Sequence, residues 1–448
     1  MQTEEQNPVT KIQDELKITK PVIKADDVAF EIVRQTKYKK PVTTLCVAIT
    51  GCTGLLGRNL LFEIIKQNLS NLDNLQLILL GRPKKNIKFS DRIKNILLKD
   101  GLFYLKKEYD KKLAEKILAR IFFIEFDFEK QSSIDFSNIL RLQEFSFDYF
   151  FHLGAVSDFR LSLATRKKLI NSNIEGTKRI INLIDRLTVK EFIYTGTAYS
   201  FGTTEGIIKP DSVNLDMNFR NYYEETKLIA EDYVRKYAKK KNVKIKIFRP
   251  VGICGRLIEP PIGSICKYDL FYSWAAFFFR LKLKYIPNLE EIFTKECELD
   301  IRIQCNKKGA LTLIPADYAS KLIWAICMNK ESGESHHLTS DFTINNEIYL
   351  KLILEELNIQ GIKFLEEKPE NLSKLEELYY KTIGNVYSDY LMMDSIKFED
   401  INPQQIKSKF KIKSLRNKKE NFRVLLKYAK KHYFGFKNLN IDLKERQI

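Results

Sequence analysis

A doubly wound α/β fold, a parallel sheet with a smaller, mostly helical substrate and C-terminal region, is what three observations predict. An apolar run, Leu45–Ile49, breaks into a turn holding Gly51, Gly54 and Gly57 and passes directly into an amphipathic segment, Asn59–Ile65. Further apolar runs follow, separated by segments of helical periodicity, and strands alternating with helices at this cadence build parallel sheets. Tyr223 and Lys227 stand four apart on one of the helical segments.

The opening unit reads strand, glycine turn, helix. A chain reversing this tightly brings backbone amides to a helix N-terminus, where they bind the pyrophosphate of a dinucleotide. A Cβ at Gly51 or Gly54 is expected to intrude on the phosphates, and Gly57 to let the helix pack closely on the sheet. The candidate cofactor contacts of the turn are Gly51, Thr53, Gly54, Leu55, Leu56, Gly57 and Arg58.

The second strand, Leu75–Leu80, ends on Gly81, Arg82 and Pro83. An acid at such a strand end would bond the ribose hydroxyl of NAD. Here Arg82 stands instead, with Lys84, Lys85 and Arg58 near it in sequence, a set suited to the 2′-phosphate of NADP. A helical excursion over 86–120 leads to a third strand, Ile121–Phe126, followed by Asp127 and Phe128, both cofactor candidates. Asp127 is read as an adenine acceptor or as a polar strand terminus.

The fourth strand, Tyr149–Leu153, runs into Gly154 and Ala155, small residues that admit a nicotinamide; with Leu153 they are cofactor candidates. Asn173, Gly176 and Thr177 follow in a helical pattern. The fifth strand, Glu191–Tyr194, ends in TGTAYSFG, and a sixth, Lys244–Phe248, in Arg249 and Pro250, the last also a cofactor candidate.

On a helix, Tyr223 and Lys227 share one face. A lysine ammonium there lowers the phenol pKa toward that of a general acid and has donors left for a nicotinamide ribose. Thr197 follows the fifth strand and offers a hydroxyl to the oxygen that gains charge. Thr197, Tyr223, Lys227 and Asn173 are the catalytic candidates, with Lys227 also touching the cofactor.

Lysine and arginine (75) outnumber aspartate and glutamate (57), for a formal +18. No aromatic-interleaved RNA motif or zinc-finger spacing accompanies this charge, so it reads as a lysine-biased surface, not a nucleic-acid site. The seven cysteines form no CxxC pair, as expected of reduced thiols in a cytoplasmic protein, and no metal site is expected. The aromatic run Leu270–Phe279 is too short for a membrane span and reads as core or as an acyl pocket. His336 and His337 are taken as non-metal residues, and Asp317 as a helix N-cap.

The expected domains are a polar extension over 1–43, a dinucleotide-binding domain over 44–255 completed by about 311–345, a substrate insertion over 256–310 and a basic helical region over 346–448. The last is read either as a helical cap with a solvated lysine face or as a surface for an acidic carrier protein, CoA phosphates or anionic lipid.

The motifs TGCTGLLG (50–57), FDFEK (126–130), HLGA (152–155), NIEGT (173–177), GTAYSFG (196–202), YEETK (223–227), RPVGICG (249–255) and PADYA (315–319) together resemble the extended short-chain dehydrogenases/reductases. GRPKK after the second strand, GAVSDF (154–159) and NYYEETKLIAE (221–231) are most similar to the thioester-reductase and fatty acyl-CoA reductase branch. The resemblance implies a Rossmann fold and NADPH reduction of an acyl thioester, CoA-bound or carrier-bound, or of a derived aldehyde. It gives Tyr223 as proton donor, Lys227 as its electrostatic partner and Thr197 as oxyanion ligand. Tyr222 departs from the proline usual before the tyrosine, and Asp158 from a common asparagine. A sugar-nucleotide epimerase, dehydratase or ketoreductase, and a non-catalytic dinucleotide-binding scaffold, are the alternatives.

Overall fold

The computed structural model describes residues 44–436, apart from 109, 131–135, 205, 330–331, 400–402, 411, 413–414 and 416. The expected polar extension over 1–43 lies outside them.

The strands in chain order are β1 (Leu45–Thr50), β2 (Leu75–Gly81), β3 (Ile121–Glu125), β4 (Ser146–His152), β5 (Thr188–Thr195), β6 (Ile207–Ile208), β7 (Lys244–Pro250), β8 (Gly252–Cys254), β9 (Cys297–Gln304), β10 (Ala310–Pro315), β11 (Ser335–Leu338), β12 (Phe342–Asn345), β13 (Ile359–Leu365) and β14 (Lys397–Phe398). Seven form one sheet in the order β11-β7-β5-β4-β1-β2-β3, and every neighbouring pair is parallel. Such a sheet is covered on both faces, which is why its strands read as near-continuous apolar runs. Its strand order reverses between β1 and β4, the place where doubly wound sheets bind ligands beyond their carboxyl ends.

The helices that shape the site are α1 (Leu55–Gln67), α2 (Tyr222–Lys241), α3 (Phe271–Tyr285), α4 (Ala316–Met328), α5 (Asn346–Leu357), α6 (Ile383–Met392) and α7 (Lys418–Lys431). Leu60 and Ile64 of α1 pack with Ile323 and Trp324 of α4 on one face of the sheet. Ala230 and Val234 of α2 pack with Phe150 and Phe192 on the other.

A second, aromatic core joins Trp274, Phe278, Tyr349, Tyr379 and Phe422. The region after residue 346, expected to be helical, also contributes β13, which pairs in parallel with β9. Residues 256–310 and the C-terminal region therefore share a lobe. α7 fits the cap reading, because Phe422, Leu425, Leu426 and Ala429 are fully buried in that core.

The structure places two histidines left without a role, and one local expectation changes. His336 and His337 lie inside β11, buried at the sheet edge, and donate to the carbonyls of Gly333 (2.7 Å) and Glu399 (2.9 Å). Asp317 does not cap its own helix, since Pro315 holds that position. Its carboxylate accepts the amides of Leu257 (3.3 Å), Ile258 (2.7 Å) and Glu259 (2.7 Å), pinning the loop after β8.

Candidate active site

A cavity of ≈ 670 Å³ lies over the carboxyl ends of β1, β4 and β5. The glycine turn closes one side. Gly51 has φ +74°, and a Cβ there would stand 2.7 Å from the Gly154 amide nitrogen, so glycine is required where β1 crosses the end of β4. A Cβ on Gly57 would strike the Gly51 carbonyl. Gly57 thus closes the turn on itself, a different role from the helix-to-sheet packing expected of it. Gly54, the α1 N-cap, lines the cavity with Leu55 and Leu56, and a Cβ on it would stand 3.2 Å from the Gly51 carbonyl oxygen. The first amides of a helix have no partner within it, and at this terminus they point at the open space.

Arg82 lines the cavity just beyond β2. Its Nη1 donates to Glu129 at 2.8 Å and to Asp127 at 3.3 Å, so Asp127 meets the arginine rather than lining the cavity. Arg58 turns aside, donating to the Thr53 carbonyl at 3.0 Å and pairing with Asp100 at 3.5 Å. The space a side chain on Gly81 would need is filled by the buried Phe89 ring. Phe128 likewise fills the space beside Gly154 and Gly176 and meets His152 edge-on.

At the end of β5, Thr197, Tyr223 and Lys227 meet on the cavity, beside Leu153, Ala155 and Pro250. Thr197 caps the short turn Ala198–Phe201, its Oγ1 accepting the Tyr199 amide at 3.3 Å. Asn221 caps α2 and accepts the amides of Tyr223 and Glu224, each at 3.1 Å, which fixes where Tyr223 leaves the helix. Burial raises the Tyr223 pKa, and a hydrogen bond with the Thr197 hydroxyl opposes the rise. Lys227 donates instead to the Thr195 carbonyl at 2.6 Å and stands 4.4 Å from the Tyr194 ring centre. Burial lowers its pKa to about 7, with Glu231 opposing.

Asn173 sits behind this wall. Its Oδ1 accepts the Val156 amide at 2.8 Å, and its Nδ2 donates to the Val156 carbonyl at 3.0 Å and to Thr226 at 3.2 Å. It fixes the strand-end loop to α2. His152, bridged to Thr50 (2.7 Å) and Thr177 (3.2 Å), is held near pKa 3 by burial and by the charge of Lys227.

The opposite wall is aromatic and was not singled out from the sequence. Phe159 packs on Tyr223 (5.1 Å between ring centres), Tyr387 (5.7 Å) and Tyr390 (6.1 Å). Tyr387 and Tyr390 come from α6, where their i, i+3 spacing on an amphipathic helix was the available signal. Phe271 and Trp274 at the start of α3 also line the cavity, whereas Phe278 and Phe279 are core, so the aromatic run divides between the two expected roles.

Sheet, turn and strand-end residues define an NAD(P)-binding domain of the extended short-chain dehydrogenases/reductases. Residues 49–323, more than half of the chain, match the family described as Male sterility protein, and the chain belongs to that family. The terminal R domain of the myxalamid PKS-NRPS biosynthetic pathway shares the fold with a TM-score of 0.63 and 18% identity, over 88% of this chain and 92% of that one. A thiolation-reductase di-domain from an archaeal non-ribosomal peptide synthetase gives a TM-score of 0.57 and 15% identity, over 87% of this chain and 76% of that one. A UDP-glucose 4-epimerase of Bacillus subtilis (strain 168) is 22% identical over 227 residues, 49% of this chain and 57% of the epimerase's own length. Among the described residues no helix is long and apolar enough to cross a membrane.

Proposed function

We propose that the protein is a cytoplasmic, NADPH-dependent reductase of an acyl thioester, CoA-bound or carrier-bound, or of the aldehyde derived from it. The observation that carries this reading is the meeting of Thr197, Tyr223 and Lys227 on the cavity whose other side is the glycine turn. The turn fits a dinucleotide: it lies on the cavity at the start of α1, and a side chain at Gly51 or Gly57 would collide with backbone. NADPH, when bound, supplies the hydride.

Tyr223 delivers the proton to the substrate oxygen, and the Thr197 hydroxyl, beside it on the cavity, holds that oxygen as it gains charge. Lys227 is placed to bind the nicotinamide ribose, and a neighbouring hydroxyl stabilises its ammonium form, which burial disfavours. Asn173 positions Val156 in the wall. Arg82, with Lys84 beside it on the cavity, takes the 2′-phosphate. An acid at residue 81, as an NAD site would use, is opposed by the Phe89 ring. The neighbouring thiolation-reductase structure favours a thioester on a carrier arm, and an acidic carrier would suit the basic surface.

The test is turnover of an acyl-CoA panel with NADPH, followed by absorbance and by mass spectrometry of the aldehyde or alcohol formed. Purified protein that retains NAD and consumes no NADPH would overturn the reading in favour of an epimerase.

A further inference from the structure

Three hydrogen-bond donors at the substrate end are left over. Trp274 on α3 is 2% exposed and Tyr349 on α5 is 4% exposed, yet neither the indole Nε1 nor the phenol Oη has a hydrogen-bond partner among the described residues. The same holds for the Oη of Tyr199, in the turn after β5. Each of the three lines the cavity. None belongs to the polar atoms sealed without a partner, as the Tyr379 hydroxyl is, so the open space these donors reach is the cavity. Two other phenols there are occupied, Tyr390 by Asn221 (2.7 Å) and Glu224 (2.6 Å) and Tyr387 by Ser273 (3.4 Å), while Tyr223 is the proton donor proposed above.

Donors that open onto a cavity bond water until a ligand displaces it, and a ligand group that cannot reproduce those bonds loses affinity. An indole N–H only donates, and a phenol donates as readily as it accepts, so the group that satisfies all three is an acceptor. They come from three elements far apart in the chain: the turn after β5, α3 and α5. A hydrocarbon chain would strip water from these donors and return nothing. Sites built to bond a substrate oxygen discriminate steeply against analogues that lack it.

We propose that the far end of the cavity recognises an oxygen, hydroxyl or carbonyl, carried on the acyl group, with Trp274, Tyr349 and Tyr199 as its donors. The enzyme then prefers oxygenated acyl thioesters to saturated ones of the same length. This rests on the thioester-reductase reading for its chemistry, but its binding half is independent of turnover.

The experiment uses the full chain carrying Trp324→Phe, which leaves Trp274 as the single indole of the two in the sequence. Octanoyl-CoA and its hydroxy and oxo isomers are titrated against indole fluorescence and assayed with NADPH. At least one oxygenated isomer is expected to shift the Trp274 emission where octanoyl-CoA does not, and to exceed it roughly 10- to 100-fold in kcat/KM. Tyr349→Phe is expected to remove most of that ratio, and Tyr199→Phe, checked for the same unfolding temperature, provides a second variant. Equal or better binding and turnover of octanoyl-CoA, or a ratio untouched by both variants, would overturn the inference. So would no binding by any isomer. If the emission discriminates but nothing is reduced, the reductase reading falls and the oxygen site stands.

Discussion

The pyrophosphate turn of the cavity comes from one unbroken stretch, Gly51 to Gly57, while the substrate end is assembled from Phe159, Tyr199, Trp274, Tyr349, Tyr387 and Tyr390. The first is a backbone device. At Gly51 and Gly57 main chain occupies the place of a side chain, and a requirement on the backbone is written locally in the sequence. The second is a packing product whose members become neighbours only when β9, β13 and the helices of the second lobe assemble. A motif can announce the one, whereas the other leaves only scattered traces, an aromatic run and an i, i+3 spacing, that do not say what they will meet.

Tyr223→Phe gives the sharpest test of this contrast. The phenyl ring keeps its contact with Phe159, so NADPH affinity is expected to hold while kcat falls by about 10²–10⁴-fold, read by steady-state kinetics beside a cofactor titration. Equal loss of both would mean that the two ends are not separable.

Gly51→Ala attacks the backbone device. The positive φ and the collision with Gly154 are expected to lower stability by about 2–4 kcal/mol, seen as a fall in denaturation midpoint with unchanged slope.

Lys227 links the two ends and gives a pH signature. Burial lowers its folded pKa from 10.5 to about 7. Between those values the unfolded chain binds the extra proton, so stability rises with pH there, and the penalty is fully present below the folded pKa. The cofactor-free wild type is expected to gain up to about 1.4 kcal/mol per pH unit over Lys227→Met-type behaviour in that window. Denaturant titrations of both proteins at pH 7 and 9 measure the difference, and parallel curves would show that Lys227 is not desolvated.

Arg82→Ala has the smallest expected effect, about tenfold in NADPH against NADH preference, because the contact is exposed and partly shared with Glu129. An unchanged ratio of kcat/KM for the two cofactors would place the 2′-phosphate elsewhere.

The sheet was legible because parallel strands buried on both faces are apolar throughout, and each main-sheet strand up to β7 falls within a few residues of its expected place. β11 was missed because its Ser335–Leu338 sequence is half polar, with two histidines whose ring nitrogens are satisfied by carbonyls. β13 was missed because it pairs with β9 across a long stretch of chain. In the site, the spacing of Tyr223 and Lys227 placed them on one face. It did not show that the lysine would bond the Thr195 carbonyl, since that depends on how α2 lies over β5. Asp317 was recognised as a helix-start acid, but its three amide partners lie in a loop some sixty residues earlier in the sequence, beyond any local pattern.

Asn221 has two jobs that draw on opposite ends of one amide. Its oxygen receives the first amides of α2, and its nitrogen donates to Tyr390 on α6. Aspartate would cap the helix equally well, but it would bring a second carboxylate up to Glu224 and withdraw the donor from Tyr390. The start of the catalytic helix and the pocket wall contributed near the C-terminal end are thereby set by a single planar group. A change that re-shapes the pocket through α6 is transmitted, by this fork, to the residue that begins the proton-donating turn.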